Sequence, residues 1–569
     1  MTENKIHISN IPLHLIAYTF ALLIALGLRF ALIGQHPLNN VEASLALQAL
    51  ATGKGQAVSL SGEPGYLGLT ALIFFIFGGS DFWARFTPAL IGSISILVPL
   101  LFRPWLGNRV SLLLAFLIAL DPVLISASRA ADGRVFALFG LLAGIGFLLK
   151  KKPVLGGICL GIALSGGPGV WTGILILVGM ALVSRFPMAH NSSEYPTNLS
   201  KNQWVKVIAG TAVTLVVIST QFFTYPAGIS AAGSSLAEYF TSFGETAGNI
   251  VMGSSAAWLL VELPFIILAL WGLIDGLVRK DELARLPGVW WGLGLVLTLV
   301  TTASGTGYFY WVSIPILVLT AIKVNDLTRQ SAGENRIVFL AEAFLVFALI
   351  IFSFLNLLAL VNNPALTPDE TRNRIIGALL PLILLVVLTI LLSWGWSASS
   401  TRKGFIAGVM VMLSLMAFSN AWKASGLGSK PQYEFVDYGG CPVGSKTLKS
   451  TIADISRWNT GFENRIDIVM VALDQPSLRW ALRDYENLIL QSGYNPDQSP
   501  SLILTGTDQT ISSSTSYRGQ KFLWAVQPQF SAMRLTDWVK WAVFRTAPEE
   551  KTELILWARN DLFAGTTTE

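Results

Sequence analysis

The chain has 569 residues, of which 53% are hydrophobic and only 13% are charged, and its mean hydropathy is +0.58. Soluble domains carry roughly 25% charged residues, so this composition excludes an ordinary soluble protein and predicts a polytopic membrane protein. The net charge of +5 does not indicate nucleic-acid binding, because most lysines and arginines follow the ends of apolar segments, where positive-inside sorting explains them. No nucleic-acid partner is therefore expected.

The first apolar segment, residues 15–34, predicts a membrane span. No small-residue cleavage site follows it, so the span is expected to be kept as an anchor. Its single charge, Arg29, lies near the end of the span, where a long side chain can snorkel to the lipid headgroups.

One carboxylate, Glu42, lies just beyond this first span. Pro37 and the paired Asn39 and Asn40 before it favour a turn or a helix cap, and the Ala, Leu and Gln residues after it favour a short interfacial helix. A carboxylate in this place can act as a base towards a lipid-borne substrate. The alternative is an ordinary acid at a helix N-terminus, where the helix dipole stabilises negative charge.

Lysines and arginines at the ends of the later apolar segments orient those segments. With the N-terminus in the cytoplasm, the pattern predicts about thirteen crossings of the cell membrane and an extracytoplasmic C-terminus. The run 66–79 has about 14 apolar residues, which is typical of an interfacial or re-entrant helix. If this run crossed the membrane, every later loop would change sides and the lysine triplet 150–152 would lie outside. We therefore do not count it as a crossing. The long, weakly charged loop 224–254 is a candidate lid.

The composition changes at about residue 422 to that of a soluble domain. We therefore predict a helical membrane domain over residues 1–421, with a first outer loop at 35–85, and an extracytoplasmic α/β domain over residues 422–569. Strands are predicted at residues 466–471, 501–504, 521–526 and 553–559, and helices at residues 476–490 and 535–545. The sequence of this domain contains no glycine-rich phosphate loop, so it gives no indication of a bound nucleotide.

Charged residues near the predicted outer face form the candidate site. Placing a charge at a membrane is energetically costly, so such residues often have a function. Arginine binds phosphate through its planar guanidinium group, and a carboxylate can take a proton from an attacking hydroxyl group. The structural alternative is that these residues cap helices or snorkel to the interface. The set consists of Glu42, Glu63, Asp81, Arg85, Arg129, Asp132 and Arg134.

The order of these features resembles the GT-C superfamily of integral-membrane glycosyltransferases, in particular the protein-mannosyltransferase and aminoarabinose-transferase branch with an outer C-terminal domain. The resemblance covers roughly residues 10–180 and depends more on the arrangement than on any single motif. After the first span and its acidic helix, it rests on Pro64-Gly65-Tyr66, on the segment 77–86 (FGGSDFWARF), on the basic turn 106–109 (LGNR) and on Ser128-Arg129-Ala130-Ala131-Asp132.

The resemblance implies transfer of a hexosyl or pentosyl group from a polyprenyl-phosphate-linked donor to a protein, lipid or glycan acceptor at the outer face. The family usually carries Asp-Glu in its first outer loop, and the Asp is the usual base. Here the pair reads Val41-Glu42. The prediction is therefore that Glu42 is the base of a direct, inverting displacement, and that Asp132 helps to orient the acceptor or a metal.

The resemblance also implies substrate-binding residues. Glu63 matches an acid of some relatives, and Arg85 and Arg129 are expected to contact the donor phosphate, with Arg134 beside them. Some relatives use a divalent metal ion, but the sequence contains no His/Asp cluster that assigns metal ligands here.

Two other classes of function remain open. A transporter or lipid-flipping component places ionisable residues within the bilayer, and Asp121, Glu262 and Asp275 are the acids to consider for it. A non-catalytic scaffold of an envelope assembly is the second alternative, because Val41 replaces the usual base.

Overall fold

A computed structural model describes residues 13–56, 58–185, 199–241, 243, 248–301, 308–329, 335–363, 365–428, 430, 434, 440–509 and 511–563. A helical domain comes first, and a small domain built on a β-sheet follows at the C-terminus. This architecture confirms the predicted fold class. The exact boundary at residues 421 and 422 stays a prediction.

The helices of the first domain vary from short interfacial lengths to more than thirty residues. They are α1 (Leu13–Phe30), α2 (Asn40–Gly53), α3 (Pro64–Phe77), α4 (Asp81–Ile94), α5 (Arg103–Leu120), α6 (Pro122–Arg129), α7 (Arg134–Leu149), α8 (Pro153–Leu164), α9 (Gly169–Arg185), α10 (Lys201–Ser219), α11 (Gly228–Thr241), α12 (Gly248–Arg279), α13 (Glu282–Thr301), α14 (Tyr310–Arg329), α15 (Arg336–Asn362), α16 (Pro368–Leu392) and α17 (Ala398–Trp422).

In the described part of the chain, nine helical stretches are long and apolar enough to cross a membrane, or ten if the bent pair α6 and α7 forms one span. One of the nine is the 60-residue stretch 368–427, which contains both α16 and α17. Three further apolar helices, α3, α8 and α9, are shorter. The chain is therefore an integral membrane protein, and the predicted count of about thirteen crossings is not confirmed.

The ends of several helices carry the residues that favour them. In α2, the Asn39 side chain accepts a hydrogen bond from the Glu42 N–H while the Glu42 carboxylate accepts one from the Asn39 N–H, which forms a capping box. Thr367 and Glu370 form a second such box before α16. Pro64 stands in the first turn of α3, where its missing N–H costs nothing.

Arg29 does not snorkel to the membrane surface. It is fully buried, and its guanidinium group donates to the carbonyl groups of Ile118 (3.0 Å) and Ala119 (3.4 Å) and to the Ser128 hydroxyl (3.2 Å). The sequence-based interpretation was wrong because the carbonyl groups at the end of α5 satisfy the guanidinium group inside the protein. Arg29 thereby ties α1 to α5 and α6.

The C-terminal domain is a five-stranded mixed sheet with the strand order β2-β1-β3-β5-β4. The parallel strands β1, β2 and β3 occupy one half, and β5 pairs antiparallel with both β3 and β4. Helices α18 and α19 bury their apolar residues against the strands in one core. The elements are α18 (Ser445–Thr460), β1 (Ile468–Val471), α19 (Pro476–Ala481), β2 (Leu488–Gln491), β3 (Leu502–Gly506), β4 (Tyr517–Pro528), α20 (Leu535–Phe544) and β5 (Glu549–Arg559).

The predicted strands and the helix α20 agree with these elements, but the predicted helix 476–490 is wrong in its second half. Helix α19 ends at Ala481, and β2 follows from Leu488. The reason is tertiary, since Leu488–Gln491 pairs in parallel with Ile468–Val471 and this pairing overrides the local helix propensity.

The C-terminal domain contacts the helical domain through α19. The Ser477 hydroxyl and backbone N–H donate to the Asn40 side-chain oxygen at the start of α2. The indole N–H of Trp480 donates to Asp81 over 2.6 Å, and the Trp480 ring stacks on Phe74 with ring centroids 5.8 Å apart. Trp480 is 2% exposed. These contacts join the C-terminal domain to α2, α3 and α4.

We predict that Trp480→Ala loosens α2. Removing a buried tryptophan costs about 3–5 kcal/mol where the site cannot collapse, and here the lost contacts are those that cover α2. Hydrogen exchange of the α2 amides should therefore accelerate by at least about tenfold. Trp458→Ala in the same domain is the control, because Trp458 is 72% exposed. Unchanged protection of α2 in Trp480→Ala would contradict the prediction.

Candidate active site

Glu42 is buried in a closed network at the start of α2. Its Oε1 accepts from Arg85 Nε (2.8 Å) and from the Ala131 N–H (2.9 Å), and its Oε2 accepts from Arg85 Nη2 (2.6 Å) and from the Asn39 N–H (3.2 Å). Burial acts to raise the pKa of Glu42, but the charge and hydrogen bonds of Arg85, together with the backbone hydrogen bonds, hold this pKa below its ordinary value. Glu42 is thus an ionised group with both oxygens engaged.

Arg85 is saturated by the chain itself. Besides its two contacts with Glu42, its Nη1 donates to the carbonyl groups of Ile33 (3.1 Å) and His36 (2.7 Å), and its Nη2 donates to that of Pro37 (3.4 Å). A guanidinium group has five N–H donors, and these contacts account for all of them. Arg85 therefore fixes the segment between α1 and α2, and its predicted contact with donor phosphate stays a prediction.

Arg129 lies at the end of α6 and contacts the end of α1. Its Nη1 donates to the carbonyl groups of Leu28 (3.2 Å), Arg29 (2.9 Å) and Ala31 (2.7 Å). A cation at a helix C-terminus satisfies carbonyl groups that have no partner within the helix. The observed geometry is that of a helix cap.

Glu63 has a different environment from Glu42. Its Oε2 accepts from the Gly133 N–H over 2.8 Å, and its Oε1 accepts no hydrogen bond from any described residue. The side chain packs on Gly167, where a Cβ atom would lie 2.6 Å from Glu63 Cγ and where φ is +93°. Burial first, and then the neighbouring Asp132, raise the pKa of Glu63 to about 8. Glu63 is therefore a carboxyl group poised near neutral pH with one oxygen available.

Asp132 and Arg134 form an ion pair beside Glu63. Asp132 is 3% exposed, accepts from the Arg134 backbone N–H (3.0 Å) and contacts Arg134 Nε at 2.8 Å, while the Arg134 side chain is 23% exposed. Burial, opposed by Arg134 and reinforced by Glu42, raises the pKa of Asp132. The pair leaves the Arg134 side chain partly accessible, which distinguishes it from Arg85.

A cavity of about 400 Å³ opens between α2 and α11. Val41, at the position where the resembled family carries its usual base, is 57% exposed and lines this cavity, whereas Glu42 does not. The charged groups of the wall are Glu63 and Glu238. The remaining lining residues are Asn40, Ser44, Leu45, Gln48 and Ser61.

The structure brings Glu42, Glu63, Asp132 and Arg134 together, with Arg85 behind Glu42 and Arg129 further along α6. Sequence reasoning missed Glu238, whose Oε1 accepts from the Gly62 N–H over 3.1 Å. The available signal was that Glu238 is one of two acids in the loop 224–254. This loop contains α11, its residues 242 and 244–247 lie outside the described residues, and its lid role stays a prediction.

The described residues contain no cluster of three candidate metal ligands. Among them, no three His, Cys, Asp or Glu side chains lie close enough to hold a metal ion. Glu63, Asp132 and Glu238 therefore do not form such a group, and the divalent metal ion that the resemblance allows stays untested.

Comparisons with known proteins identify a fold. No family model matches the chain, and no curated protein matches it significantly. The crystal structure of ArnT from Cupriavidus metallidurans in the apo state matches with a TM-score of 0.52 at 15% identity, over 95% of this chain and 97% of that one. The structure of the same protein bound to undecaprenyl phosphate matches over the same shares at 15% identity, with a TM-score of 0.48.

The fold and the site together define a polytopic membrane protein with a charged, partly open site beside its C-terminal domain. Its fold is similar to that of ArnT from Cupriavidus metallidurans. The fold that the sequence-based resemblance implies is thereby confirmed.

We predict that Glu42→Gln is destabilising. The substitution leaves the buried Arg85 charge without its carboxylate, which costs about 3–5 kcal/mol in buried pairs. The melting temperature of the purified protein should fall clearly. Asp369→Asn is the control, because the Asp369–Arg372 pair is exposed (82% and 68%) and such pairs contribute little. Equal melting temperatures for Glu42→Gln and the wild type would contradict the prediction.

Proposed function

We propose that the chain transfers a sugar from a polyprenyl-phosphate-linked donor to a hydroxyl group of an acceptor at the membrane face that carries the C-terminal domain. The observation that carries this proposal is Glu63, a carboxyl group with a raised pKa and one available oxygen, in the wall of an open cavity and beside the Asp132–Arg134 pair. The ArnT fold supports the same class of reaction.

Glu63 is a better base than Glu42 in this geometry. A general base needs a free oxygen within reach of the acceptor and a pKa near the working pH. Glu63 meets both conditions. Both oxygens of Glu42 accept hydrogen bonds from Arg85 and from backbone N–H groups, so its role in the proposal is to position the site. The sequence-based assignment of Glu42 as the base stays a competing prediction.

Arg134 is the proposed contact for the donor phosphate. A guanidinium group binds phosphate oxygens through paired N–H donors, and the Arg134 side chain is partly exposed. Asp132 holds the Arg134 side chain through its Nε and leaves the terminal nitrogens to face a ligand. Arg85 and Arg129 donate to backbone carbonyl groups, so in this proposal they support the site from behind.

The reaction is a direct displacement at the anomeric carbon. The acceptor oxygen forms the new bond to this carbon from the side opposite the phosphate, which inverts the configuration. The bond between the anomeric carbon and the phosphate oxygen breaks, and its electron pair leaves with the polyprenyl phosphate, whose charge Arg134 stabilises. Glu63 takes the proton of the attacking hydroxyl group. The activated leaving group arrives in the bilayer, so no nucleotide is required.

The orientation in the membrane is part of the proposal. Basic residues such as the lysine triplet 150–152 favour a cytoplasmic N-terminus. The C-terminal domain and the site are then extracytoplasmic. The acceptor is a protein, lipid or glycan that reaches the cavity from that side.

A transport function is the second candidate, and one buried contact favours it. Asp121 and Glu262 are fully buried among the membrane helices and close enough to interact, while the Ser313 hydroxyl donates to Glu262 over 2.7 Å. Two carboxyl groups in contact share a proton, and intramembrane acids often belong to proton or ion pathways. Measuring donor-lipid translocation and sugar transfer in the same proteoliposomes separates the two functions.

We predict that Glu63→Gln lowers the rate of sugar transfer by about a hundredfold or more, because an amide cannot accept the proton. The measurement is transfer from a polyprenyl-phosphate-sugar donor by the reconstituted full chain. Glu486→Gln is the matched control, because Glu486 is exposed on the C-terminal domain.

Two results would contradict this assignment. A Glu63→Gln variant that stays active, together with a Glu42→Gln variant that loses activity per folded molecule, would return the base role to Glu42. A wild-type chain that is inactive with several donors would favour the scaffold or the transporter.

The pH dependence of transfer follows from the raised pKa of Glu63. The base is active when deprotonated, so the rate should rise about tenfold per pH unit below pH 8 and level off above it. A rate profile between pH 5 and pH 9 with saturating donor tests this. A profile that is flat between pH 5 and pH 8 would instead indicate a base with an ordinary carboxyl pKa.

A further inference from the structure

A second cavity, of about 490 Å³, lies where the last membrane helix meets the C-terminal domain. One wall comes from the end of α17 and the turn 423–428, and the other comes from the end of α20. This cavity shares no lining residue with the candidate active site. Its two cations are Lys423 and Arg545.

Arg545 is built into the wall with part of its guanidinium group unsatisfied. The side chain is 4% exposed, its Nε donates to Glu434 over 3.0 Å, and its Nη1 donates to the carbonyl groups of Trp541 and Ala542 at 3.1 Å each. Its Nη2 is buried and has no hydrogen-bond partner among the residues that the structure describes. A buried guanidinium N–H without an acceptor is costly, so an external acceptor at this position is favoured.

Lys423 adds a second cation to the same wall. Its Nζ donates to the Ala542 carbonyl group over 3.0 Å, which leaves two of its three N–H donors for another acceptor. Glu434 is the carboxylate that contacts Arg545. The balance of Lys423, Arg545 and Glu434 is one excess positive charge, which matches a ligand with a single negative charge.

The rest of the cavity is apolar and faces outward. Phe418 and Trp422 lie one turn apart on α17, with ring centroids 6.2 Å apart, and both are half-exposed. Phe544 at the end of α20 is 41% exposed on the opposite wall. Aromatic side chains at the end of a membrane helix are typical of the interface between headgroups and acyl chains.

We propose that this cavity binds the headgroup of an anionic phospholipid. The phosphodiester accepts from Arg545 Nη2 and Lys423 Nζ, and the acyl chains lie along Phe418, Trp422 and Phe544. A phosphodiester has one negative charge, which matches the excess charge of the wall. The apolar walls can contact acyl chains but offer no favourable contact to a free phosphate ion, so we propose the lipid as the ligand. It does not depend on the glycosyl-transfer function.

Native mass spectrometry of the full chain, titrated with phosphatidylglycerol, tests this proposal. We expect one tightly bound phosphatidylglycerol, with an affinity that falls by about tenfold or more in both Lys423→Gln and Arg545→Gln. Lys423→Arg should retain the lipid because it keeps the charge. Lys521→Gln should also retain it, because Lys521 is exposed on β4, away from the cavity.

Phosphatidylcholine and inorganic phosphate complete the experiment. Phosphatidylcholine should bind more weakly, because its choline group brings a positive charge towards Lys423 and Arg545. Wild-type affinity for phosphatidylglycerol in both glutamine variants would overturn the site, and inorganic phosphate that binds as tightly as the lipid would overturn the lipid assignment. Melting temperatures establish that each variant is folded. If Arg545→Gln is unfolded, Lys423→Gln decides alone, because Lys423 contributes one hydrogen bond to the fold.

Discussion

The short turn between α6 and α7 is held by two carboxylates that come from distant parts of the chain. The Ala131 N–H donates to Glu42 and the Gly133 N–H donates to Glu63, across 89 and 70 residues of sequence. Helices α6 and α7 meet at a bend of 118° here, and the Ala131 and Gly133 N–H groups donate to these side chains instead of to a carbonyl group within a helix. The two acids supply the missing acceptors, and Asp132 is presented between them. The site therefore exists only while α2 and the start of α3 stay in place around this turn.

The same contacts give the two acids opposite properties. At Glu42, Arg85 and the backbone hydrogen bonds from Ala131 and Asn39 together outweigh burial and lower the pKa. At Glu63, burial and Asp132 outweigh the Gly133 hydrogen bond and the charge of Arg134, so the neutral form is favoured. When the surroundings drive the pKa values of two acids apart, one acid stays charged and the other can transfer a proton. The division of roles between Glu42 and Glu63 thus follows from where one arginine lies.

Local patterns predicted much of this structure, and the failures share one cause. Hydrophobic runs and charged flanks indicated the membrane class, the cap at Asn39 and four of the five strands, because periodicity and capping are properties of short segments. The second half of helix 476–490, the burial of Arg29 and the contact of Glu238 with the site depend on partners far away in sequence. Glu42 illustrates both cases. The helix start at Glu42 could be predicted from neighbouring residues, but its ion pair with the distant Arg85 could not. No single-segment pattern encodes which arginine will be saturated by backbone carbonyl groups.

Asn40 joins the C-terminal domain directly to the site. Its side chain lines the cavity that Glu63 borders, and its Oδ1 accepts two hydrogen bonds from Ser477 in α19. The adjacent Asn39 belongs to the capping box that fixes Glu42. The start of α2 is therefore fixed on one side by the membrane domain and on the other by the C-terminal domain. Helix α20 of that domain also borders the Lys423–Arg545 cavity, where Lys423 donates to the Ala542 carbonyl group, so both cavities lie beside contacts between the two domains.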